Sequence, residues 1–180
     1  MRKLGLVFSL VLGVLVVANL SYGEDLRIDG STTVLPIAQR AAEVFMQKYP
    51  DIKTFVTGSG SGTGIKALID GTTMIATSSR EAKDKEISDA RAKGVTLTPH
   101  KIALDGIVPV VHPSMKMNDL TMDQLQAIYN GKIKSWKELG GPDRPIAAVS
   151  RDTSSGTYEV WEEKVLRKDP VRPDALLVAS

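Results

Sequence analysis

Three times in this chain a short β-branched or apolar run leads into a loop of Ser, Gly and Thr, and a helical pattern follows at once. The three loops are Gly30-Ser31-Thr32-Thr33, Gly58-Ser59-Gly60-Ser61-Gly62-Thr63-Gly64 and Ser150-Arg151-Asp152-Thr153-Ser154-Ser155-Gly156-Thr157-Tyr158. A strand turning into a helix leaves the first backbone N–H groups of the helix without intrahelical partners. The helix dipole favours negative charge at that end, and neighbouring hydroxyls add donors that orient it. Arg151 places a planar fork of donors beside the third loop, a shape suited to the oxygens of an oxyanion. One such loop alone reads as a helix cap with a surface arginine. Three in one chain read as parts of an anion site.

Strand-loop-helix order throughout predicts an α/β fold with largely parallel sheets. The expected strands are Leu26 to Asp29, Ile52 to Thr57, Thr73 to Thr77, Val95 to Thr98 and Ile146 to Ser150. The first helix is expected from Pro36 to about Lys48, with Ile37, Ala41, Val44, Phe45 and Met46 on its buried face. A second short helix carries Ile65, Leu68 and Ile69 after the Gly-rich loop. Ser78 and Glu81 have capping-box spacing and should open a charged helix that Gly94 closes. Two further boxes, Thr121 with Gln124 and Ser135 with Glu138, should open helical turns. Asn130-Gly131 should end the first of these.

The apolar run Ile102 to Val111, broken by Gly106 and Pro109, suits a crossover between two lobes. The expected division is 24–104 for the first lobe and 105–180 for the second. Ligands of such sheets sit outside the carboxyl ends of the strands, which is where the hydroxyl-rich loops fall.

Composition narrows the function. Arg2 and Lys3, the apolar stretch Leu4 to Leu20 and the small residues of Ser21-Tyr22-Gly23 form a secretory signal peptide, expected to be cut after Gly23. There is no cysteine, so neither a lipid-modified cysteine nor a disulfide is expected. Such an exported chain points to a bacterial periplasm. Losing Arg2 and Lys3 from 23 basic residues leaves as many as the 21 acidic ones, so an anion must be held by local geometry. With 5% aromatics and no basic stripe, nucleic acid is not an expected partner.

Enzyme templates fail. In the Gly-rich loop, Gly64 is followed by Ile65 and not lysine, and the dinucleotide spacing is not met. No serine has glycine both two before and two after it. His100 and His112 are widely spaced, so neither a metal site nor a cofactor is expected, and no catalytic residue is assigned.

Taken together, Gly30 to Pro36, Gly58 to Lys66, Ala103-Leu104-Asp105-Gly106-Ile107, Ile128 to Ile133 with Trp136, and Ser150 to Tyr158 resemble the periplasmic phosphate-binding proteins of phosphate ABC transporters. The resemblance runs from Leu26 to Ser180. It implies a two-lobed, type II periplasmic-binding fold closing on inorganic phosphate. It also implies a monomer that hands its ligand to a membrane permease. By position, Thr32 and Thr33 would donate from the first lobe, as would Ser61 from the Gly-rich loop. Arg151 would be the charged clamp, with Ser155, Gly156 and Thr157 donating from the helix N-terminus.

This chain departs from the family pattern in two respects. Where members of the family carry an aspartate that accepts the proton of hydrogen phosphate, the sequence reads Thr77-Ser78-Ser79-Arg80. Ser78 or Ser79 is expected in that place, with Arg80 as a second cation. A hydroxyl cannot reject sulfate by buried charge repulsion as a carboxylate does. A receptor for another oxyanion (sulfate, molybdate or a phosphorylated metabolite) therefore stays open, as does a phosphate-sensing protein of the same fold. Family members also continue beyond Ser180, so both lobes are expected to be incomplete, with the C-terminal part missing.

Overall fold

The computed structural model describes residues 25–117 and 119–179; the expected signal peptide lies outside the described residues. Two parallel sheets organise the chain. The first has order β2-β1-β3, formed by β1 (Leu26–Gly30), β2 (Thr54–Thr57) and β3 (Ile75–Thr77). Ile28 lies opposite Val56 on one side and Ile75 on the other, so β1 is the central strand. The second sheet pairs β4 (Val149–Arg151) with β5 (Leu176–Val178), with Ser150 opposite Leu177. The fold is α/β with parallel strands, as the strand-helix order predicts.

Helices α1 (Leu35–Lys48) and α2 (Ser61–Ile69) connect the strands of the three-stranded unit, and α3 (Asp84–Ala92) follows β3. Pro36 sits in the first turn of α1, where its missing N–H costs nothing. The buried stripe of α1 is Ala38 and Ala42, while Ile37 and Val44 are exposed. The expected face is therefore rotated. Alanine lets the helix axis lie close to β2, which it contacts, while Ile37 and Val44 turn outward and Phe45 and Met46 stay half-buried. Ile65, Ile69 and Ala90 form the core between α2 and α3.

Helix α2 starts at Ser61, within the Gly-rich loop and earlier than its apolar residues suggest. Its N-cap is Gly60, whose φ of 103° is accessible to glycine at little cost. The Ser78–Glu81 capping box does not form. The Ser78 hydroxyl instead donates to the Arg80 carbonyl (2.7 Å) and accepts from the Arg80 N–H (3.2 Å), closing a local turn. The helix opens at Asp84, and the Glu86 carboxylate accepts from the Lys83 N–H at 2.8 Å. Val95 to Thr98 is not a strand. Val95 and Leu97 pack on the α2–α3 core, and no strand pairs with them among the described residues. Strands β2, β3 and β4 are also shorter than their apolar patterns, and β4 begins at Val149. Ile146 and Ala148 are buried just ahead of it.

The run Ile102 to Val111 is irregular and open to solvent, with Leu104 89% and Val110 87% exposed. Beyond it, α4 (Met122–Tyr129) carries the expected box. Gln124 N–H donates to the Thr121 hydroxyl (3.2 Å), and the Gln124 side chain accepts from Thr121 N–H (2.8 Å). Ser135 and Glu138 also form their box, around a single 3-10 turn, Trp136–Leu139. Helix α5 (Gly156–Lys164) lies against α4 through Tyr129 and Trp161, whose ring centroids are 4.9 Å apart. Leu125, Trp161, Val165 and Leu166 form the second core. Strand β5 was not expected from the sequence. Buried Arg172 anchors the chain entering it, holding the Asp174 carboxylate with two bonds of 2.6 Å.

Candidate functional site

Four loops meet where the two sheets end. The turn from β1 to α1 is tied to β3, since Ser31 N–H donates to the Thr77 carbonyl at 2.9 Å. Gly60 N–H donates to the Gly30 carbonyl (2.8 Å), which knits the Gly-rich loop to the first one. Ser61, fully buried, opens α2. Its hydroxyl accepts from Ser79 N–H (3.1 Å) and lies 3.3 Å from the Ser79 hydroxyl. Three hydroxyl-bearing loops are thus fastened together on the three-stranded side.

The fourth loop comes from the two-stranded side. Ser155 is the N-cap of α5 and its hydroxyl accepts from Tyr158 N–H at 3.4 Å, a contact of the kind worth about 1 kcal/mol. Asp152 shapes the turn ahead of it, taking the Ser154 N–H (2.9 Å) and the Ser154 hydroxyl. Those bonds, led by the hydroxyl and aided by nearby Arg151, hold the Asp152 carboxyl below its usual value. Ser154 then bridges the two units. Its carbonyl accepts from Gly62 N–H (3.2 Å), and its hydroxyl oxygen, whose proton is turned to Asp152, lies 3.3 Å from the Ser59 carbonyl.

Gly156 sits at the tightest approach. A Cβ there would come within 2.5 Å of the Ser79 hydroxyl and 3.0 Å of the Ser61 Cβ. The first turn of α5 is therefore pressed directly on the Ser61–Ser79 pair. Thr157 and Ser79 both face a cavity of about 320 Å³ whose walls include Asp105, Ile107, Leu125 and Trp161.

Arg151 ends β4 and reaches across to the first loop, where its Nη2 donates to the Thr32 hydroxyl at 2.7 Å. It also donates to the carbonyls of Val178 (3.3 Å) and Ala179. Among the described residues no carboxylate pairs with it. Its hydrogen bonds are to neutral groups, and the neighbouring Asp152 acts on it only at longer range.

Arg80 differs. Its side chain is 7% exposed, and both terminal nitrogens donate to Glu86 at 2.8 Å while Nε meets Glu159 of α5. Burial opposes its charge, yet the bonds and charges of Glu86 and Glu159 prevail and raise it above its ordinary value. Burial likewise opposes the charge of Glu86, and the Arg80 bond overrides it, lowering that carboxyl. Arg80 was expected to offer the anion a second cation; here Glu86 and Glu159 take up its guanidinium instead.

Of the expected site residues, Ser61, Ser79 and Gly156 are in one cluster, with Ser155 and Thr157 flanking Gly156 on the same turn. Thr32 and Arg151 form an adjacent pair. Thr33 is exposed and Arg80 is turned into the ion cluster. The sequence reading missed Ser154 and Glu159. Ser154 carried a signal in the Asp-x-Ser turn; Glu159 carried none, since its partner belongs to the other unit. Backbone donors at two helix starts, hydroxyls and a guanidinium that no described carboxylate bonds can together hold a small oxyanion.

A family model described as a PBP superfamily domain matches residues 18–173. The phosphate-binding protein PstS of Bacillus subtilis is 42% identical over 142 residues, covering 79% of this chain and 46% of its own length. A substrate-binding protein of a phosphate ABC transporter from Clostridium perfringens, solved with bound phosphate, superposes with a TM-score of 0.75. It is 37% identical and covers 85% of this chain and 61% of its own. An ABC-type phosphate transport receptor from Vibrio cholerae gives a TM-score of 0.68 at 34% identity, over 87% of this chain and 63% of its own. The chain thus spans about half to two-thirds of the length of these relatives.

Proposed function

Since this chain belongs to the PBP superfamily, we propose that it is a non-catalytic receptor that binds inorganic phosphate outside the cytoplasm and passes it to the permease of an ABC transporter. In this reading residues 1–23 direct export to the periplasm. Residues 24–104 and 105–180 belong to the two lobes, and the receptor acts as a monomer. The relatives support the ligand by name: one is a phosphate-binding protein and another was solved with phosphate.

The observation that carries the reading is the placement of Arg151. Its charge meets no carboxylate among the described residues, and it bonds Thr32 across the boundary between the units. Beside it, the N-terminus of α5 rests on Ser61 and Ser79. Arg151 would supply charge-assisted bonds, and the first-turn N–H groups of α5 with the hydroxyls of Ser61, Ser79 and Thr157 would surround the remaining oxygens. Thr32 would be released from Arg151 or share it when the anion enters.

A second reading is a receptor of broader oxyanion range, favoured by one observation. The position facing Gly156 is the uncharged Ser79 hydroxyl, and the carboxylates of Glu86 and Glu159 are taken up by Arg80. Isothermal titration of the anion-stripped chain with phosphate, repeated in excess sulfate, separates the readings. Tight phosphate binding that sulfate leaves unchanged supports the phosphate receptor. Competition by sulfate supports the broader one, and no binding by a folded chain rejects both.

A further inference from the structure

The ion cluster behind the hydroxyls has no part in the contacts assigned to the anion. Arg80, Lys83 and Glu86 come from the segment after β3, and only Glu159 comes from the two-stranded unit. Glu159 and Glu86 are 12% and 18% exposed, and Lys83 Nζ lies 3.2 Å from the Glu159 oxygen that meets Arg80. The first turn of α2 walls the cluster. A Cβ at Gly62 would lie 3.5 Å from the other Glu159 oxygen and 3.6 Å from Arg80 Nη2. Two positive and two negative groups add no net charge to the neighbouring site, so the effect of the cluster on an anion is geometric. Arg80 follows Ser79 directly, and Glu159 lies one turn beyond Ser155 and Gly156. Holding Glu159 to Arg80 therefore holds the start of α5 against Ser79.

We propose that Glu159 is a positioning residue for the anion site, and that its pair with Arg80 latches the two units together in the closed state. The proposal rests on the anion-site reading. A nearly dry ion pair forms only once the two surfaces are in contact, so it acts on opening and ligand release more than on encounter. Lys83, more than half exposed, adds little.

The absence of cysteine makes the test direct. Lys85→Cys and Glu163→Cys, both at exposed positions on opposite units, accept a pair of spin labels. In the phosphate-free labelled chain, Glu159→Gln should lengthen and broaden the inter-label distance. Stopped-flow binding should show phosphate leaving roughly 10- to 30-fold faster with an unchanged association rate. A wild-type distance distribution overturns the latch. So does a role confined to folding, which would lower the urea midpoint and leave distance and release rate alone. If Glu159→Gln does not fold, Glu159→Asp keeps the charge on a shorter arm, and an unchanged distance there rejects the proposal equally. If the parent labelled chain binds no phosphate, the anion reading fails, while the distance measurement still decides the latch.

Discussion

Arg80 and Arg151 occupy comparable places in their two units. Each stands at or just past the end of a short parallel strand, beside a serine-rich loop, facing the boundary between the sheets. Their surroundings are opposite. Arg80 is buried between Glu86 and Glu159, while Arg151 is half-buried and bonded to a hydroxyl and two carbonyls. The first is a structural cation whose charge is consumed; the second is a cation held ready. What separates them is which side chains fold back onto each guanidinium, a property of the assembled units and not of either loop.

Truncating each arginine is the sharpest way to break that comparison. Arg80→Ala leaves Glu86 and Glu159 in a nearly dry pocket with Lys83 as their remaining partner, and should cost about 3 kcal/mol of folding stability, read from urea unfolding. Arg151→Ala strands no carboxylate and should change stability by less than about 1 kcal/mol. Its effect should appear in phosphate affinity, weakened by about 2–3 kcal/mol in calorimetry through loss of the charge-assisted bonds. If the two variants exchanged these signatures, the contrast would be wrong.

Gly156→Ala tests the contact between the units without touching either charge. Its methyl group would press on the hydroxyls of Ser61 and Ser79, which can yield slightly. A loss of about 1–3 kcal/mol of stability in urea unfolding, with weaker phosphate binding in calorimetry, is the expected result.

The smallest effect concerns pH. The Glu86 carboxyl is lowered from its ordinary 4.5, with burial opposing and the Arg80 bonds prevailing. A lowered carboxyl stabilises the fold fully above its unfolded value, and that contribution is lost as pH falls through its folded one. The urea midpoint of the unaltered chain should therefore fall as pH drops from roughly 5 to roughly 3. In Arg80→Ala that part of the slope should flatten, whereas in Arg151→Ala it should persist.

Most features that depend on near neighbours in sequence were legible in it, the Ser78–Glu81 box excepted, because Ser78 closes a turn on Arg80 instead. The Thr121–Gln124 and Ser135–Glu138 boxes, the proline in the first turn of α1 and the Ser155 cap are formed by residues a few positions apart. Their hydrogen bonds therefore exist wherever the chain places them. The hydroxyl loops and Arg151 were legible for the same reason. Features needing a distant partner were not. The orientation of α1 depends on how closely alanine approaches β2. Strand β5 exists because Leu176 to Val178 find β4 and Arg172 holds Asp174. Val95 to Thr98 has strand composition but no strand beside it. Arg80 belongs with these, because Glu159 reaches it only through the docking of α5.

The exposed stretch from Ile102 to Val111 bears on behaviour in concentrated solution. It presents Leu104, Val108 and Val110 to water on backbone that no described strand pairs. An extended apolar run of this kind is a template on which a second chain can add hydrogen bonds. Gly106 and Pro109 interrupt it, and proline has no N–H to offer a growing ladder. These two residues act as gatekeepers against self-association. Replacing Gly106 and Pro109 together by valine should therefore raise self-association in light scattering, through residues some way along the chain from every group that would touch the anion.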